Sequence, residues 1–116
     1  MTIISAFLYF AKPDISNCPC NSECVIYFHS SQSSKDKRAN EIMKVLSNCD
    51  CKVEGIEKVN TKTDKNMIKY FHSLDKNLAE ELVLFVKEKT GIELKITYNP
   101  NYAYKVDRKY LEIWLK

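Results

Sequence analysis

Two histidines stand out first, because they are the only ones in the chain and each lies in the same tetrapeptide, Tyr-Phe-His-Ser. His29 belongs to the first copy and His72 to the second. Imidazole exchanges a proton near neutral pH, so two histidines brought together could act as general acid and general base. The alternative is architectural: each tetrapeptide ends a strand, and its polar residues help to cap the turn that follows.

The spacing of hydroxyl side chains after each histidine bears on the catalytic interpretation. Two-histidine phosphoesterases carry in each half a His, one further residue and then Thr or Ser, and the two hydroxyls hold the phosphate. His29 meets this spacing through Ser31, but the residue two positions after His72 is Leu74. Because one hydroxyl is missing, phosphoester chemistry is an alternative rather than the expected activity, and we assign no catalytic residue.

Five cysteines offer a second kind of chemistry, metal binding or disulfide formation. The weak candidates for metal ligands are Cys18, Cys20, Cys24, Cys49 and Cys51. Their C-x-C and C-x3-C spacings differ from the C-x2-C pair typical of zinc sites, so we expect no cofactor, with zinc as an alternative. Disulfides and reduced thiols both stay open, and an odd number of cysteines leaves at least one thiol free in any all-disulfide arrangement.

The elements that position these residues follow from the hydrophobic pattern. Apolar or alternating runs predict strands over residues 24–28, 51–59, 67–71, 93–98 and 110–115, with Gly55 as a bend or bulge in the second. Apolar residues at helical spacing predict a helix over about 35–47 and a second helix that begins after Ser73 or Asp75, the two candidate N-caps, and ends at Gly91. The order β-α-β-β-α-β predicts an α+β, ferredoxin-like two-layer sandwich, whose first and third strands lie side by side in mid-sheet.

A crossover helix runs antiparallel to its strands, so both cysteine groups should lie at the same end of the domain. The histidines should lie at the other end of the domain, where the first and third strands end. A Cys–His nucleophile is therefore not expected.

The length of the chain fits one domain over residues 1–116. We divide it into an N-terminal segment (1–23), the βαββαβ core (24–98) and a C-terminal turn and strand (99–116). The apolar run at 2–11 is too short for a membrane span, which needs about 20 residues, so it is expected to be an extra strand or a packed segment. No export signal is visible, which makes the cytoplasm the default location.

Alternation along the strands predicts which side chains share a face of the sheet. Aligning the two tetrapeptides places both phenylalanines on one face and both histidines on the other. Lys69 would be costly to bury beneath helices, so its face should be the open face, the one that the helices leave uncovered. The predicted binding residues on the open face are Ile26, Phe28, Met67, Lys69 and Phe71.

Apolar side chains gathered on an open face require burial, against the N-terminal segment, Trp114 or a partner. We therefore expect a binding module that contacts a partner protein or a second copy of the chain. Aromatic residues on central strands also stack bases in RNA-recognition domains. However, the Lys/Arg-Gly-aromatic signature of those domains is missing and the net charge is only +3. Nucleic-acid or glycan binding is thus an alternative.

Three stretches resemble the LytR/CpsA/Psr C-terminal domain and, more loosely, the SPOR domain. They are residues 51–59, 67–71 and 77–82, within a similarity that spans about 24–97. The resemblance implies a small bacterial domain that binds without catalysing, as part of the cell-envelope machinery. The glycine-rich turn typical of the first family is replaced here by residues 30–34, and no glycan-binding residue is carried over.

Overall fold

The computed structural model describes residues 18–20, 23–59 and 64–116, which form an α+β two-layer sandwich. Its strands are β1 Val25–Ser30, β2 Lys52–Lys58, β3 Met67–Tyr70, β4 Lys95–Tyr98 and β5 Tyr110–Leu115. Its α-helices are α1 Lys37–Ser47 and α2 Lys76–Thr90, and short 3₁₀ turns cover Ser33–Lys35, Ser73–Asp75 and Pro100–Lys105. The predicted α+β class is confirmed, and the predicted elements agree with the structure within a few residues.

The two helices contact each other and share one hydrophobic core with the sheet. On α1 the core side chains are Ala39, Ile42 and Leu46. On α2 they are Ala79, Leu82, Phe85 and Val86. One face of the sheet is thus buried under helices. The prediction that the segment 1–23 supplies an extra strand or cover falls almost entirely on residues outside the described ranges.

The order of the strands differs from the ferredoxin-like prediction. The order is β2-β1-β5-β3-β4, so β5 lies between β1 and β3. It runs parallel to β1 and antiparallel to β3. Each helix connects two neighbouring parallel strands, β1 to β2 and β3 to β4, and these two units do not interleave. The middle of the sheet is taken instead by β5, whose Leu111, Ile113 and Leu115 enter the core.

The two strand–helix–strand halves flank β5 in opposite directions, and Glu112 lies between them. Tyr27 of β1 and Lys69 of β3 both pair with Glu112. The tetrapeptide copies do not follow this symmetry. Phe28 pairs with a core residue of β5 and is buried beneath the helices, whereas Phe71 contacts the Tyr110 ring on the opposite face.

The prediction that Ile26 and Phe28 lie on the open face is therefore wrong. Both side chains are 0% exposed and belong to the core under the helices. The alignment of the two tetrapeptides matches Lys69 with Ile26 and so predicts the same face for both. In the sheet the two copies are offset by one residue, and Lys69 corresponds to Tyr27, because both are opposite Glu112. The apolar residues of β1 are themselves what the helices cover.

Local signals at the helix ends and at the glycines explain why the elements start and stop where they do. α1 follows Asp36, whose buried carboxylate accepts hydrogen bonds from the backbone N–H groups of Arg38 and Ala39 at 2.9 and 3.2 Å. α2 ends at Gly91, where φ is +79°, a conformation that glycine adopts without strain. Gly55 is the extra residue of a bulge in β2, as its position in the alternating pattern predicted.

Candidate functional site

The open face is organised around the carboxylate of Glu112 on the central strand. Its Oε2 accepts a hydrogen bond from the Tyr110 hydroxyl at 3.0 Å, and its Oε1 accepts one from the Trp114 indole N–H at 2.9 Å. Because residues two apart on a strand share a face, β5 supplies both donors to its own carboxylate. Glu112 is thus held in place by its two nearest neighbours of the same face.

The protonation states in this cluster follow from burial and contacts. Burial alone would raise the pKa of Glu112, but the neighbouring His29 and the hydrogen bonds from Trp114 and Tyr110 outweigh it, and the pKa lies below its ordinary value of 4.5. Burial, and then the negative charge of Glu112, raise the pKa of Tyr110 well above its ordinary value. At neutral pH Glu112 is therefore an anion and Tyr110 a hydrogen-bond donor.

The indole ring of Trp114 is covered on both sides. The His29 ring stacks on it with a centroid distance of 4.1 Å and an interplanar angle of 14°. The Lys69 ammonium lies 4.1 Å from the ring centroid. His29 and Lys69 come from strands on opposite sides of β5, so they occupy opposite faces of the ring. The contact between Lys69 and Trp114 is a cation–π interaction, in which the ring rather than a carboxylate attracts the ammonium group.

His29 is 8% exposed and lies between two carboxylates. Its Nε2 is 3.7 Å from Glu112 Oε1, and its Nδ1 is 3.8 Å from Glu57 Oε2. Both distances exceed a normal hydrogen bond, and neither ring nitrogen has a hydrogen-bond partner within the described ranges. His29 therefore supports the Trp114 ring by stacking rather than through a direct hydrogen bond.

A cavity of about 400 Å³ opens on this face. Its lining residues are Lys69, Phe71, Asn99, Tyr102, Lys105, Val106, Glu112 and Trp114. One wall is therefore the open face itself, and the other is the turn that joins β4 to β5. Aromatic rings, two ammonium groups and one carboxylate meet in this space, which is within the size range of pockets for small ligands or single side chains.

The wall formed by the β4–β5 connection is anchored by buried polar groups. The His72 Nε2–H donates to the Val106 carbonyl at 2.8 Å. The buried carboxylate of Asp75 accepts hydrogen bonds from Arg108 Nε and from the Lys109 backbone N–H, both at 2.7 Å. Because these contacts tie the connection to the end of β3 and the start of α2, the cavity is built into the fold.

The structure brings together only part of the predicted binding set. Lys69 and Phe71 lie on the open face and line the cavity, and Met67 shares their face through strand alternation. Sequence reasoning missed Glu112, Tyr102 and Lys105 as members of the site. The strict alternation of polar and apolar residues in β5 was a usable signal, since it places the side chains of Tyr110, Glu112 and Trp114 together on the face opposite the core.

The two histidines do not share a site. On β5, His29 is opposite Trp114, and Tyr70 is opposite Leu111, three positions before Trp114. His72 lies two residues beyond Tyr70, still farther from Trp114. At about 3.3 Å per residue, the histidines are separated by more than about 10 Å along the strands. His29 stacks on Trp114 and His72 binds the Val106 carbonyl. This geometry does not provide the joint acid–base action that phosphoester cleavage requires.

The cysteines gather at one end of the domain, as predicted. Cys18 and Cys49 form a disulfide, and Cys20, Cys24 and Cys51 are buried thiols. Hydrogen bonding to Cys24 and Cys51, together with burial, raises the pKa of Cys20 far above its ordinary value. Cys20 is therefore a protonated thiol and a poor nucleophile. Within the described ranges, no group of three or more His, Cys, Asp or Glu side chains is arranged to hold a metal ion.

Comparisons with protein-family models, with curated proteins and with solved structures found no match for this chain. The resemblance to the LytR/CpsA/Psr C-terminal domain therefore stays a prediction. None of the helices in the part of the chain that the structure describes is long and apolar enough to cross a membrane.

Proposed function

We propose that this protein is a non-catalytic binding module that engages a partner protein through the open face. The observation that carries the proposal is the aromatic cavity together with two exposed tyrosines beside it. Tyr102 is 48% exposed and Tyr104 is 80% exposed, and the ammonium of Lys105 lies over both rings. Tyrosine concentrates at protein interfaces because it buries a large apolar surface and retains a hydrogen-bonding group.

The ionisable groups of the open face support binding over catalysis. Both oxygens of Glu112 already accept hydrogen bonds, and its pKa is lowered, whereas a general base working near neutral pH needs a raised pKa. His29 lies behind Trp114 and does not line the cavity. The residues around the cavity thus offer recognition surfaces but no poised proton-transfer group.

A protein partner fits this face better than a nucleic acid does. Base stacking needs a free aromatic face, and both faces of Trp114 are occupied by His29 and Lys69. The exposed tyrosines sit on one short turn rather than along the central strands. The resemblance to envelope-associated binding domains favours the same class of function, and it leaves the identity of the partner to experiment.

Selection from a displayed library of random peptides tests the proposal. We expect the selected peptides to lose at least about tenfold in affinity when Tyr102→Ala and Tyr104→Ala are combined. Tyrosine is enriched among the few interface residues whose truncation costs about 2 kcal/mol or more, and tenfold corresponds to about 1.4 kcal/mol. Leu84→Ala is the matched control, because Leu84 is an exposed apolar residue, 68% exposed, on the helical layer. Binding measured by interferometry should be the same for this control and the wild type.

Four results separate the alternatives. Peptides that bind equally well to the double tyrosine variant would place the interface elsewhere and overturn the proposal. Failure to select any peptide would do the same. Tight binding of random single-stranded RNA that falls steeply with salt, and is lost with the tyrosines, would instead assign the face to nucleic acid. Self-association detected by ultracentrifugation and abolished by the same variant would identify the partner as a second copy.

A further inference from the structure

Two ammonium groups at the cavity have no carboxylate partner within the described ranges. Lys69 contacts the Trp114 ring, and Lys105 lies 5.4 and 5.6 Å from the ring centroids of Tyr102 and Tyr104. Neither lysine forms an ion pair with any described residue, although Lys52, Lys87 and Lys109 elsewhere on the surface each do. The two unpaired cations therefore share one partly apolar space.

The carboxylate that lines the cavity, that of Glu112, forms no ion pair with either lysine. Glu112 and Lys69 are opposite each other in the register of β5 and β3. The two oxygens of Glu112 accept hydrogen bonds from Tyr110 and Trp114. The lining thus carries two positive charges against a single negative charge that is already hydrogen-bonded. Because Phe71, Val106 and Trp114 supply low-dielectric walls, an added anion would interact with these lysines more strongly than it would on an open surface.

We propose that the cavity binds the carboxylate of an acidic side chain, Asp or Glu, presented by the partner protein. The carboxylate lies between the Lys69 and Lys105 ammonium groups, and the neighbouring methylene groups pack on Phe71 and Val106. This inference rests on the proposed function, the binding of a protein at the open face. It adds that the open face selects partners with an acidic side chain at the point of contact. Charge complementarity is the basis of the selection.

Trp114 makes the test direct, because it is the only tryptophan in the chain and it lines the cavity. The probes are two capped tripeptides, acetyl-Leu-Glu-Leu-amide and acetyl-Leu-Gln-Leu-amide, which differ only in the charge. We expect the Glu peptide to change the Trp114 emission saturably and to bind at least about tenfold more tightly than the Gln peptide, a difference of about 1.4 kcal/mol. Added salt should weaken the Glu peptide selectively, since the contact is charge-based and partly exposed.

Lysine variants locate the contact. Lys69→Met and Lys105→Met should each weaken the Glu peptide at least about fivefold and leave the Gln peptide unchanged. Lys105 is exposed, so Lys105→Met keeps the test valid if Lys69→Met perturbs the fold or the indole emission. Changes in the amide chemical shifts in NMR spectra provide a second measure of peptide binding. Lys76→Met, an exposed lysine in the first turn of α2, is the matched control and should bind both peptides as the wild type does.

The outcomes distinguish this inference from the function on which it rests. Equal binding of the Glu and Gln peptides, or library peptides that need Tyr102 but lack acidic residues, would overturn the carboxylate assignment and leave the binding function intact. Phenyl phosphate binding more tightly than the Glu peptide would reassign the site to a phosphoryl group. If no peptide of any kind binds at the open face, the proposed function itself fails.

Discussion

At the scale of single residues, Glu112 shows how a charge is accommodated on the middle strand of a small sheet. The carboxylate is largely shielded from water, yet it stays ionised because Tyr110 and Trp114 donate hydrogen bonds to it and His29 lies nearby without a direct hydrogen bond. Such a group stabilises the fold only while it is charged, because its donors are oriented toward an anion. The stability of the protein should therefore depend on pH through this residue.

Replacing Glu112 with Gln should lower the free energy of unfolding by about 1.5–3 kcal/mol at pH 7, the usual contribution of a hydrogen bond to a charged group. The folded-state pKa of Glu112 lies below its ordinary value of 4.5, so the folded protein binds fewer protons here than the unfolded chain does. The stabilisation is complete above about pH 4.5 and is lost as the pH falls through the folded-state pKa. Urea denaturation of both proteins at several pH values measures the difference.

An exposed glutamate on α2 provides the control for this measurement, and Glu80→Gln should change the stability by less than about 0.5 kcal/mol. A difference between wild type and Glu112→Gln that persists unchanged into strongly acidic solution would contradict the electrostatic role of Glu112.

At the scale of elements, β5 is the strand on which both the core and the site depend. Its side chains alternate between the helix face, with Leu111, Ile113 and Leu115, and the open face, with Tyr110, Glu112 and Trp114. Since it pairs with β1 on one side and β3 on the other, it joins the two halves of the sheet. β4, by contrast, pairs only with β3 and is an edge strand.

A pair of isoleucine substitutions should reveal this difference between the strands. Ile113→Ala in β5 removes a fully buried side chain and should cost about 2–5 kcal/mol of folding free energy. Ile96→Ala in β4 alters a side chain that is 39% exposed and should cost less than about 1 kcal/mol. Guanidinium denaturation monitored by circular dichroism compares them, and equal losses would be inconsistent with a central β5.

The strand and helix positions could be predicted from the sequence, but the order of the strands could not. Period-two alternation determines which residues of β5 share a face, and helical spacing does the same for α1 and α2, because these patterns are local. Which strands become neighbours depends on how the two halves dock, and no local pattern records that. The prediction that Phe28 lies on the open face was wrong for the same reason, because four identical residues do not determine the register of a strand in the sheet.

The candidate site was only partly predictable because it assembles residues from distant parts of the chain. Lys69 and Phe71 could be assigned from the cost of burying a lysine beneath helices. The contribution of Tyr102 and Lys105 depends on the path of the β4–β5 connection, which contacts between His72, Asp75 and residues 106–109 determine. Those contacts join polar groups that have no pattern in the sequence.

At the scale of the whole molecule, the disulfide connects the segment before β1 to the region after α1. Cys18 and Cys49 are separated by 31 positions, so the bond restricts the unfolded chain over the whole β1–α1 unit. The three remaining thiols lie buried at the same end. The cross-link therefore stabilises one half of the sheet directly, and the other half through β5.

Removing the disulfide should make the protein less stable by about 3–4 kcal/mol, the value for closing a loop of this size. The double variant Cys18→Ser/Cys49→Ser and the wild-type protein are compared by guanidinium denaturation without reductant. Thiol titration of the unfolded wild-type protein should find three reactive groups. A count of five, or unchanged stability in the double variant, would refute this role for the bond.

The central place of β5 has a consequence for how the chain reaches its native state. Of the five described strands, β5 leaves the ribosome last, yet β1 needs it as a neighbour. Neither half can complete its side of the sheet before β5 emerges, so one edge of β1 and one edge of β3 stay unpaired until then. Contacts so distant in sequence slow folding, and unpaired strands invite association with other chains. The nascent protein is therefore most vulnerable to aggregation just before its final pairing partner emerges.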